Sequence, residues 1–425
     1  MDKKILTATS LGHALTHISM LVLPAVLVPV SQEYDLSLTR VTGIGTVAYL
    51  LFGVGALPAG IVGRLTSAKF LLILYFIGTA ISGLLVGIAP TFAAFVIGMG
   101  LLGLSSSIYH VAGPTLISHF SGRTGKAFGV HGVAGSAGIT LAPLIAGVLA
   151  SFVSWRAAYL ALIVPALVGG ALLLLDREIP YAHATGNPHA AEQSGTARRI
   201  TFVLLLLVMT VNGFVYRAFL TMFPTYISQS IPIGEISPVL SGGVLASIIL
   251  AFGMVGQYIG GAVADRMDRF RLYAMLLVAA VPLLLLVGLT TQWILLGVAV
   301  VFSLFYFPLQ PVENSILGTY VPPKLVSSVF GAKFILTFGV GSLGAVFSGY
   351  IAESLNTSAV YLLLAPITLV SVVLALFAIH TRRRAALEPA ARSNYPDTIE
   401  AGAADSPDTT EHPTSPDYTE ASTRS

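Results

Sequence analysis

The sequence contains no cysteine, which excludes disulfide bonds, thiol catalysis and cysteine-ligated metal centres. Charged residues are scarce at 10% of the chain, against about 25% in a typical soluble domain. Hydrophobic residues make up 55%, and the mean hydropathy is +0.85. A soluble domain of this composition would expose large apolar patches and aggregate. The same composition is expected of a protein embedded in lipid.

Motifs for catalysis and nucleotide binding are also missing. There is no Walker-type phosphate loop, so ATP is not expected to be the direct energy source. Neither a nucleophile elbow nor a metalloprotease helix occurs, and no cofactor is predicted. The sequence pI is 9.0, yet no basic stripe with interleaved aromatic residues marks a nucleic-acid partner. We therefore expect a membrane protein that is not an enzyme.

Long apolar runs recur along the chain and are separated by short polar loops. A membrane helix needs roughly 20 mostly apolar residues, so the runs predict an all-α membrane protein with about twelve transmembrane helices. The predicted spans are about 5–31, 40–64, 69–89, 91–118, 125–152, 155–176, 200–228, 238–264, 271–290, 292–317, 326–354 and 358–380. The first run is too long for a signal-peptide core and is interpreted as a retained helix.

The longest interruption divides the chain into two sets of six predicted helices. The boundaries are an N-terminal bundle over 1–176, a cytoplasmic central loop over 177–199, a C-terminal bundle over 200–380 and a disordered acidic tail over 381–425. The tail is rich in Pro, Ser, Thr, Asp and Glu, a composition that cannot bury a core. A solvated tail without function is favoured over a partner-binding segment.

Lysine and arginine are distributed unequally between the two sides of this topology. Of the 22, Arg217 and Lys333 fall inside predicted helices, and only Arg40 and Arg156 lie on one side. The others lie on the side that carries both termini. Cytoplasmic loops are enriched in Lys and Arg, so we predict a multi-pass protein of the cell (inner) membrane with both termini cytoplasmic. The oligomeric state is not predicted.

An internal repeat relates the two halves at an offset of about 202 residues. Gly129 corresponds to Gly331, and Gly147 corresponds to Gly349, at that spacing. Many transporters are built from two related halves, with the substrate site at their interface near the membrane midplane. The repeat therefore predicts two pseudo-symmetric six-helix bundles around a central cavity.

The turn between the eighth and ninth predicted helices carries a charged motif that begins at Gly261 and includes Asp265 and Arg266. It resembles the G-x-x-x-D-R cytoplasmic loop of the major facilitator superfamily. That resemblance implies a conformational latch formed by Asp265, Arg266 and Arg64, in which the aspartate caps a helix and pairs with arginine. The N-half copy, from Gly60 to Arg64, lacks the aspartate. The alternative is a set of charges that only fixes topology.

The fifth predicted helix carries a second resemblance to that superfamily. Gly129, Gly138, Pro143 and Gly147 follow the spacing of its antiporter signature, although alanine replaces two further glycines. The resemblance implies exchange by alternating access, whereas ordinary close packing of small residues is the alternative. Residues 107–110 and 125–132 also resemble the fosmidomycin-resistance branch. The same stretches, together with His13 and His17, resemble the magnetosome protein MamH and imply iron transport in a magnetosome membrane.

Ionisable side chains inside membrane helices are costly and are candidates for function. The candidates for substrate binding or proton coupling are His13, His17, His110, His131, Arg217, Glu313 and Lys333. At the repeat offset Lys333 corresponds to His131, and Glu313 lies within one residue of the equivalent of His110. The repeat therefore predicts two titratable pairs at equivalent depth, Glu313 with Lys333 and His110 with His131. A static ion pair that fixes helix packing is the alternative.

Two further chemistries follow from these residue types. His13 and His17 are four residues apart on one helix face, a spacing that suits a transition metal, a proton relay or plain packing. The planar guanidinium of Arg217 suits a carboxylate or phosphate group, because it donates two parallel hydrogen bonds. Helix packing and snorkelling to the interface are the alternatives for Arg217.

We predict a proton-coupled secondary transporter that exports a small anionic or amphipathic solute. Its partners would be that solute, protons and the lipid bilayer. One alternative is an iron or transition-metal transporter of the MamH type. Another is a non-transporting receptor or scaffold that signals through its acidic tail. Deleting the residues after Arg384 distinguishes the last alternative, because a transporter would survive the truncation.

Overall fold

A computed structural model describes residues 3–120, 124–175, 196–320 and 331–392 of the 425. All regular secondary structure in these ranges is helical, and twelve helices are long and apolar enough to cross a membrane. The predicted all-α fold and helix count are therefore confirmed. The predicted central loop lies outside the described residues up to 195, and the predicted tail does so from 393.

The spanning helices are numbered α1 to α12 in chain order. The first six are α1 (Lys3–Ala25), α2 (Leu38–Leu65), α3 (Ala68–Gly87), α4 (Phe92–Phe120), α5 (Thr124–Phe152) and α6 (Trp155–Leu160 with Ile163–Leu174). The second six are α7 (Thr196–Ser230), α8 (Pro238–Ala264), α9 (Arg269–Leu289), α10 (Gln292–Tyr306 with Leu309–Tyr320), α11 (residues 331–354) and α12 (Thr357–Arg392).

Polar caps define where several of these helices begin. Ser37, Ser67 and Ser154 precede α2, α3 and α6, and each side-chain oxygen accepts a hydrogen bond from a backbone N–H of the first turn. Asp268 does the same for α9. Such caps satisfy donors that have no partner within the helix. They fix the turns between long apolar segments whose own periodicity is weak.

The two ends of the predicted helix map need correction. The first span was expected to run to residue 31, but α1 ends at Ala25 and a separate helix covers Leu27–Tyr34. Pro29 explains the break, because proline cannot donate to the carbonyl four residues earlier and its ring clashes with it. At the other end, α12 continues to Arg392, past the predicted tail boundary at 381. Arginine, alanine and leucine follow Thr381, and all three favour helix.

Two of the C-half helices are irregular near predicted site residues. α10 is interrupted at Phe307 and Pro308, just before Glu313. α11 contains a π-helical turn over Ile335–Gly339, directly after Lys333. Proline removes a helical hydrogen bond, and π-turns are frequent at functional sites. These two breaks give the segments beside Glu313 and Lys333 a different course from an ideal helix.

The two halves are joined on the face opposite the one where α1 begins, which we call the distal face. There the backbone N–H of Leu144 on α5 donates to the Ser247 hydroxyl of α8 at 2.9 Å. The Thr39 backbone N–H at the start of α2 donates to the Glu353 carboxylate at the end of α11 at 3.1 Å. Thr46 on α2 donates to a backbone carbonyl of α11 at 3.1 Å. The arrangement is that of a two-bundle protein closed at its distal face.

Candidate functional site

The predicted histidines of the N half form one cluster, which we call the histidine cluster (His13, His17, His110 and His131). The Nδ1–H of His13 donates to the backbone carbonyl of His131 at 2.7 Å, and the two rings stack with centroids 4.1 Å apart. The Nε2 atoms of His13 and His17 are 3.2 Å apart. Three helices, α1, α4 and α5, thus bring their imidazoles together.

His110 completes the cluster from α4. Its ring lies edge-on to His13 and His17, with centroid distances of 5.4 and 5.6 Å. Its Nε2 atom is buried and has no hydrogen-bond partner among the described residues. One ring nitrogen from each of His13, His17 and His110 lies within 4.8 Å of the others. An unsatisfied buried nitrogen carries a cost, so this group is a candidate for binding a ligand.

Tyrosines that sequence reasoning missed hold the cluster in place. The Tyr109 hydroxyl donates to the Thr9 backbone carbonyl and lies 3.2 Å from His131 Nδ1. The Tyr75 hydroxyl donates to the Gly12 carbonyl at 2.9 Å. Both tyrosines are fully buried. Tyr109 directly precedes His110 and lies within the stretch 107–110 that carries the family resemblance, which were the signals available for it.

In the C half, Glu313 and Lys333 form a buried ion pair. The Lys333 ammonium is 2.5 Å from one Glu313 oxygen and also donates to the Asn314 side-chain oxygen at 2.5 Å. The Tyr273 hydroxyl donates to the other Glu313 oxygen at 3.0 Å and accepts from the Asn212 amide at 2.9 Å. Both charged residues are less than 10% exposed. The pair predicted from the repeat is thus formed in this half.

In the N half the two equivalent histidines have several other neighbours. His131 stacks on His13 and contacts Tyr109, whereas the rings packed against His110 include those of His13, His17 and Phe334. Both histidines belong to the same cluster, and their equal depth stays a prediction. The bulky Tyr109 ring beside them and the additional histidines of α1 change their partners.

Arg217 on α7 is buried at the boundary between the halves. Its guanidinium carbon lies 3.2 Å from the centre of the Tyr49 ring, which belongs to α2 of the other half. Its Nη1 atom is buried and has no hydrogen-bond partner among the described residues. The residue is 5% exposed, which excludes snorkelling to the interface. The Tyr49 ring therefore packs on the face of the Arg217 guanidinium. Part of the edge of the guanidinium, which carries its hydrogen-bond donors, remains available.

A cavity of about 100 Å³ connects these C-half groups. Its polar lining includes Asn212, Arg217, Gln257, Glu313, Asn314 and Lys333. Phe334 also lines it, and the Phe334 ring stacks on His110 at 5.4 Å. The histidine cluster and the cavity are therefore neighbours across the interface of the two halves.

The charged turn between α8 and α9 differs from the predicted latch. Asp265 is exposed and lies 3.9 Å from Arg269 of the same turn. Asp268 makes the stronger contacts: it accepts from the Arg271 backbone N–H at 3.0 Å and from Arg382 at 2.7 Å. Arg266 is exposed, and the Arg64 side chain lies outside the described part of the chain. Asp268, three residues later, thus caps α9 and makes the shorter ion pair, and the latch formed by Asp265, Arg266 and Arg64 stays a prediction.

Replacing Asp268 by asparagine is expected to lower the free energy of unfolding by no more than about 1 kcal/mol at neutral pH, since the ion pair between Asp268 and Arg382 is partly exposed. Burial raises the Asp268 pKa, but hydrogen bonds from Arg271 and Arg382 outweigh it and hold the pKa below the ordinary value of 3.8. The stabilisation is therefore present above that value and is lost as pH falls through the lowered pKa. The difference in melting temperature between the unmodified protein and the variant should therefore shrink as the pH is lowered from 7 to 3.

The glycines of the α5 signature do not share one environment. A Cβ atom at Gly138 would lie 2.4 Å from the Ala14 carbonyl of α1, and one at Gly147 would lie 2.8 Å from the Val239 carbonyl. A Cβ at Gly129 would meet no atom within 4 Å. Gly138 and Gly147 therefore lie where two helices are in close contact, whereas Gly129 lies beside open space.

Replacing Gly138 by valine is expected to separate α1 from α5 and reduce the amount of folded protein severely. Its added atoms would meet rigid backbone, and overpacking of this kind costs about 1–3 kcal/mol or more. The matched control is Gly129→Val, which enters open space. Fluorescence-detected gel filtration in detergent checks both variants, and equal monodisperse yields would contradict the assignment.

Comparison with protein families supports the resemblance drawn from the sequence. The model described as Major Facilitator Superfamily matches residues 9–342 and 274–416. The Fosmidomycin resistance protein of Escherichia coli (strain K12) is 27% identical over 377 residues, covering 84% of this chain and 88% of the relative. The Probable 4-methylmuconolactone transporter of Cupriavidus pinatubonensis is 27% identical over 337 residues, covering 75% and 72%. The resemblance to MamH stays a prediction.

Solved structures with the same fold are also transporters. A bacterial homologue of the human lysosomal transporter Spinster, in an inward-facing occupied conformation, aligns with a TM-score of 0.69 and 16% identity, covering 89% of this chain and 96% of that structure. A POT family transporter bound to a thioalcohol-conjugated peptide aligns with a TM-score of 0.74 and 11% identity over the same shares. At these identities the likeness describes the fold alone.

Proposed function

Because the chain belongs to the Major Facilitator Superfamily and is a membrane transporter rather than an enzyme, we propose that it is a proton-coupled secondary transporter of a small anionic or amphipathic solute. The observation that carries this proposal is one cavity lined by Arg217, Glu313 and Lys333. It combines a cation that has hydrogen-bonding capacity to spare with a carboxylate that can take up a proton.

Arg217 supplies the site for the anionic group. Its guanidinium is permanently charged and has an unpartnered buried Nη1 atom beside the cavity. A carboxylate or phosphate accepts parallel hydrogen bonds from such a group. The Tyr49 ring fixes the guanidinium plane from the opposite bundle. Solute binding at Arg217 would therefore involve both halves, as alternating access requires.

Glu313 supplies the site for the proton. Its carboxylate forms an ion pair with Lys333 and accepts a hydrogen bond from the Tyr273 hydroxyl. A donor group of the solute would compete with these partners for the carboxylate. Protonation would remove the negative charge of the carboxylate and weaken its hold on that donor, so proton binding and solute binding would oppose each other at Glu313. Competition at one residue is the requirement for exchange, and it supports export in return for an entering proton.

Two other features agree with export of a small organic solute. The α5 signature resembles that of antiporters, and its Gly138 and Gly147 lie at close helix contacts. The names of two relatives refer to fosmidomycin resistance and to 4-methylmuconolactone transport. We therefore favour export across the inner membrane, with the receptor and scaffold alternatives set aside.

The lysine and arginine distribution supports cytoplasmic termini, which makes the distal face extracytoplasmic. The hydrogen bonds between α5 and α8 and between α2 and α11 would then close the outer side. In this assignment the described conformation is closed toward the outside. Rocking of the two bundles about the central cavity would open the other side.

Transport into proteoliposomes with an imposed pH gradient tests the proposal. A panel of organic anions, drugs and divalent metals would be offered, and proton movement would be followed with an internal pH dye. We expect an anionic or amphipathic solute to move against an opposite proton flux. Solute movement without any response to the pH gradient would contradict proton coupling, and movement of divalent metal alone would favour the metal alternative.

A further inference from the structure

The histidine cluster suits a ligand that the proposed transport cycle does not require. We propose that His13, His17 and His110 bind one divalent transition-metal ion of the zinc class. Imidazole nitrogen is a common ligand of zinc, copper, nickel and cobalt ions. The proposal concerns metal binding alone, so it can be tested without knowing the organic solute or whether transport is coupled to protons.

The spacing of the nitrogens matches a shared ion. Two imidazole nitrogens bound at about 2.0–2.1 Å to a tetrahedral zinc ion are roughly 3.4 Å apart. The Nε2 atoms of His13 and His17 are 3.2 Å apart on the same face of α1. A nitrogen of His110 lies within 4.8 Å of both, and rotation of its ring would bring it to bonding range. All three residues are half-buried.

The hydrogen bonds around His13 fix the tautomer that a metal needs. The His131 carbonyl oxygen can only accept, so the proton of a neutral His13 ring resides on Nδ1. In the metal-free cluster the Nε2 lone pair of His13 then accepts a hydrogen bond from the Nε2–H of His17. A bound ion would replace that proton, which requires His17 to carry its proton on Nδ1 instead. Metal-binding histidines almost always donate their other N–H to a carbonyl or carboxylate in this way. His131 thus supports the site through its backbone rather than its ring.

His110 gives the second, independent indication. Its Nε2 atom is buried without a hydrogen-bond partner among the described residues, although buried polar atoms are normally satisfied. A metal ion or its bound water would satisfy it. Three histidines with an open fourth position form a common metal arrangement. Since Phe334 stacks on His110 and lines the cavity, the fourth position would lie near the cavity.

Cobalt binding to the purified full-length protein tests the site. The protein would be prepared in detergent with its affinity tag removed, because a polyhistidine tag itself binds cobalt. Titration with Co²⁺ is expected to give one equivalent of tetrahedral visible absorption, which Zn²⁺ displaces. His110→Ala and His13→Ala are each expected to weaken binding at least about 100-fold, since even outer-shell changes cost 10–100-fold.

A control variant separates the site from unspecific effects. His380→Ala removes an exposed imidazole on α12 and should leave cobalt binding unchanged. Gel filtration of each variant verifies that it is folded, and His110→Asn replaces His110→Ala if the latter is not. Absence of the tetrahedral spectrum in the unmodified protein, or full binding by folded His110→Ala or His110→Asn, would overturn the proposal.

Discussion

Replacing Arg217 by glutamine is expected to abolish transport of the anionic solute while the protein remains folded. The guanidinium is the buried cation of the cavity with an unpartnered nitrogen, so the solute would lose its charged partner. Truncating one member of a buried, hydrogen-bonded charge pair costs about 2–5 kcal/mol, equivalent to a loss of affinity from about 30-fold to several thousand-fold. Binding of the transported solute to purified protein, measured calorimetrically, gives this loss directly.

Two further variants establish that the guanidinium itself is responsible. Arg217→Lys keeps a positive charge but cannot donate two parallel hydrogen bonds, so an intermediate loss is expected. Arg266→Gln removes an exposed arginine from the turn after α8 and should bind the solute normally. Equal affinity in Arg217→Gln and the unmodified protein would place the anionic group elsewhere in the cavity.

Tyr49 provides an internal check on this interpretation. Its ring lies against the guanidinium, and its hydroxyl donates to the Met20 backbone carbonyl. The aromatic residue therefore positions Arg217 and also ties α2 to α1. No sequence pattern singled it out, since it lies within an apolar span and on the other half of the molecule from the arginine.

The fold was predictable because its cause is local. Each apolar run is long enough to satisfy its own backbone as a helix, which is the requirement for crossing lipid. The break after Ala25 was harder to predict, because it depends on a single residue, Pro29, and the effect of a proline changes with context. The extension of α12 beyond Thr381 was missed because composition was weighed over the whole tail rather than over its first residues.

The sequence identified which residues belong to the site, but not which residues each of them contacts. The cost of placing charge in lipid identified Arg217, Glu313 and Lys333, and the repeat paired the last two. It could not show that Arg217 stacks on Tyr49, nor that the His110 ring packs against the rings of His13 and His17, because both facts depend on packing between distant helices. The charged turn shows the same limit: Asp265 and Asp268 are three residues apart, and only the geometry assigns the cap and the ion pair to Asp268.

Replacing Glu313 by glutamine is expected to uncouple the carrier from protons without removing solute exchange. Glutamine can still accept hydrogen bonds from Tyr273 and from the solute, but it cannot take up and release a proton. An imposed gradient of one pH unit supplies about 1.4 kcal/mol, or a tenfold solute gradient per proton exchanged. The unmodified protein should approach that ratio in proteoliposomes. The variant should equilibrate the solute and still exchange labelled for unlabelled solute.

The buried lysine complicates the experiment and also supplies its control. Glu313→Gln leaves the Lys333 ammonium without its counter-charge, and breaking a buried pair on one side costs about 3–5 kcal/mol. A low yield of the single variant would therefore follow from stability alone. The double variant Glu313→Gln, Lys333→Met removes both charges and should recover much of the lost melting temperature. If the folded double variant still accumulates solute in response to a pH gradient, the proton is carried elsewhere, and the histidine cluster becomes the group to test next.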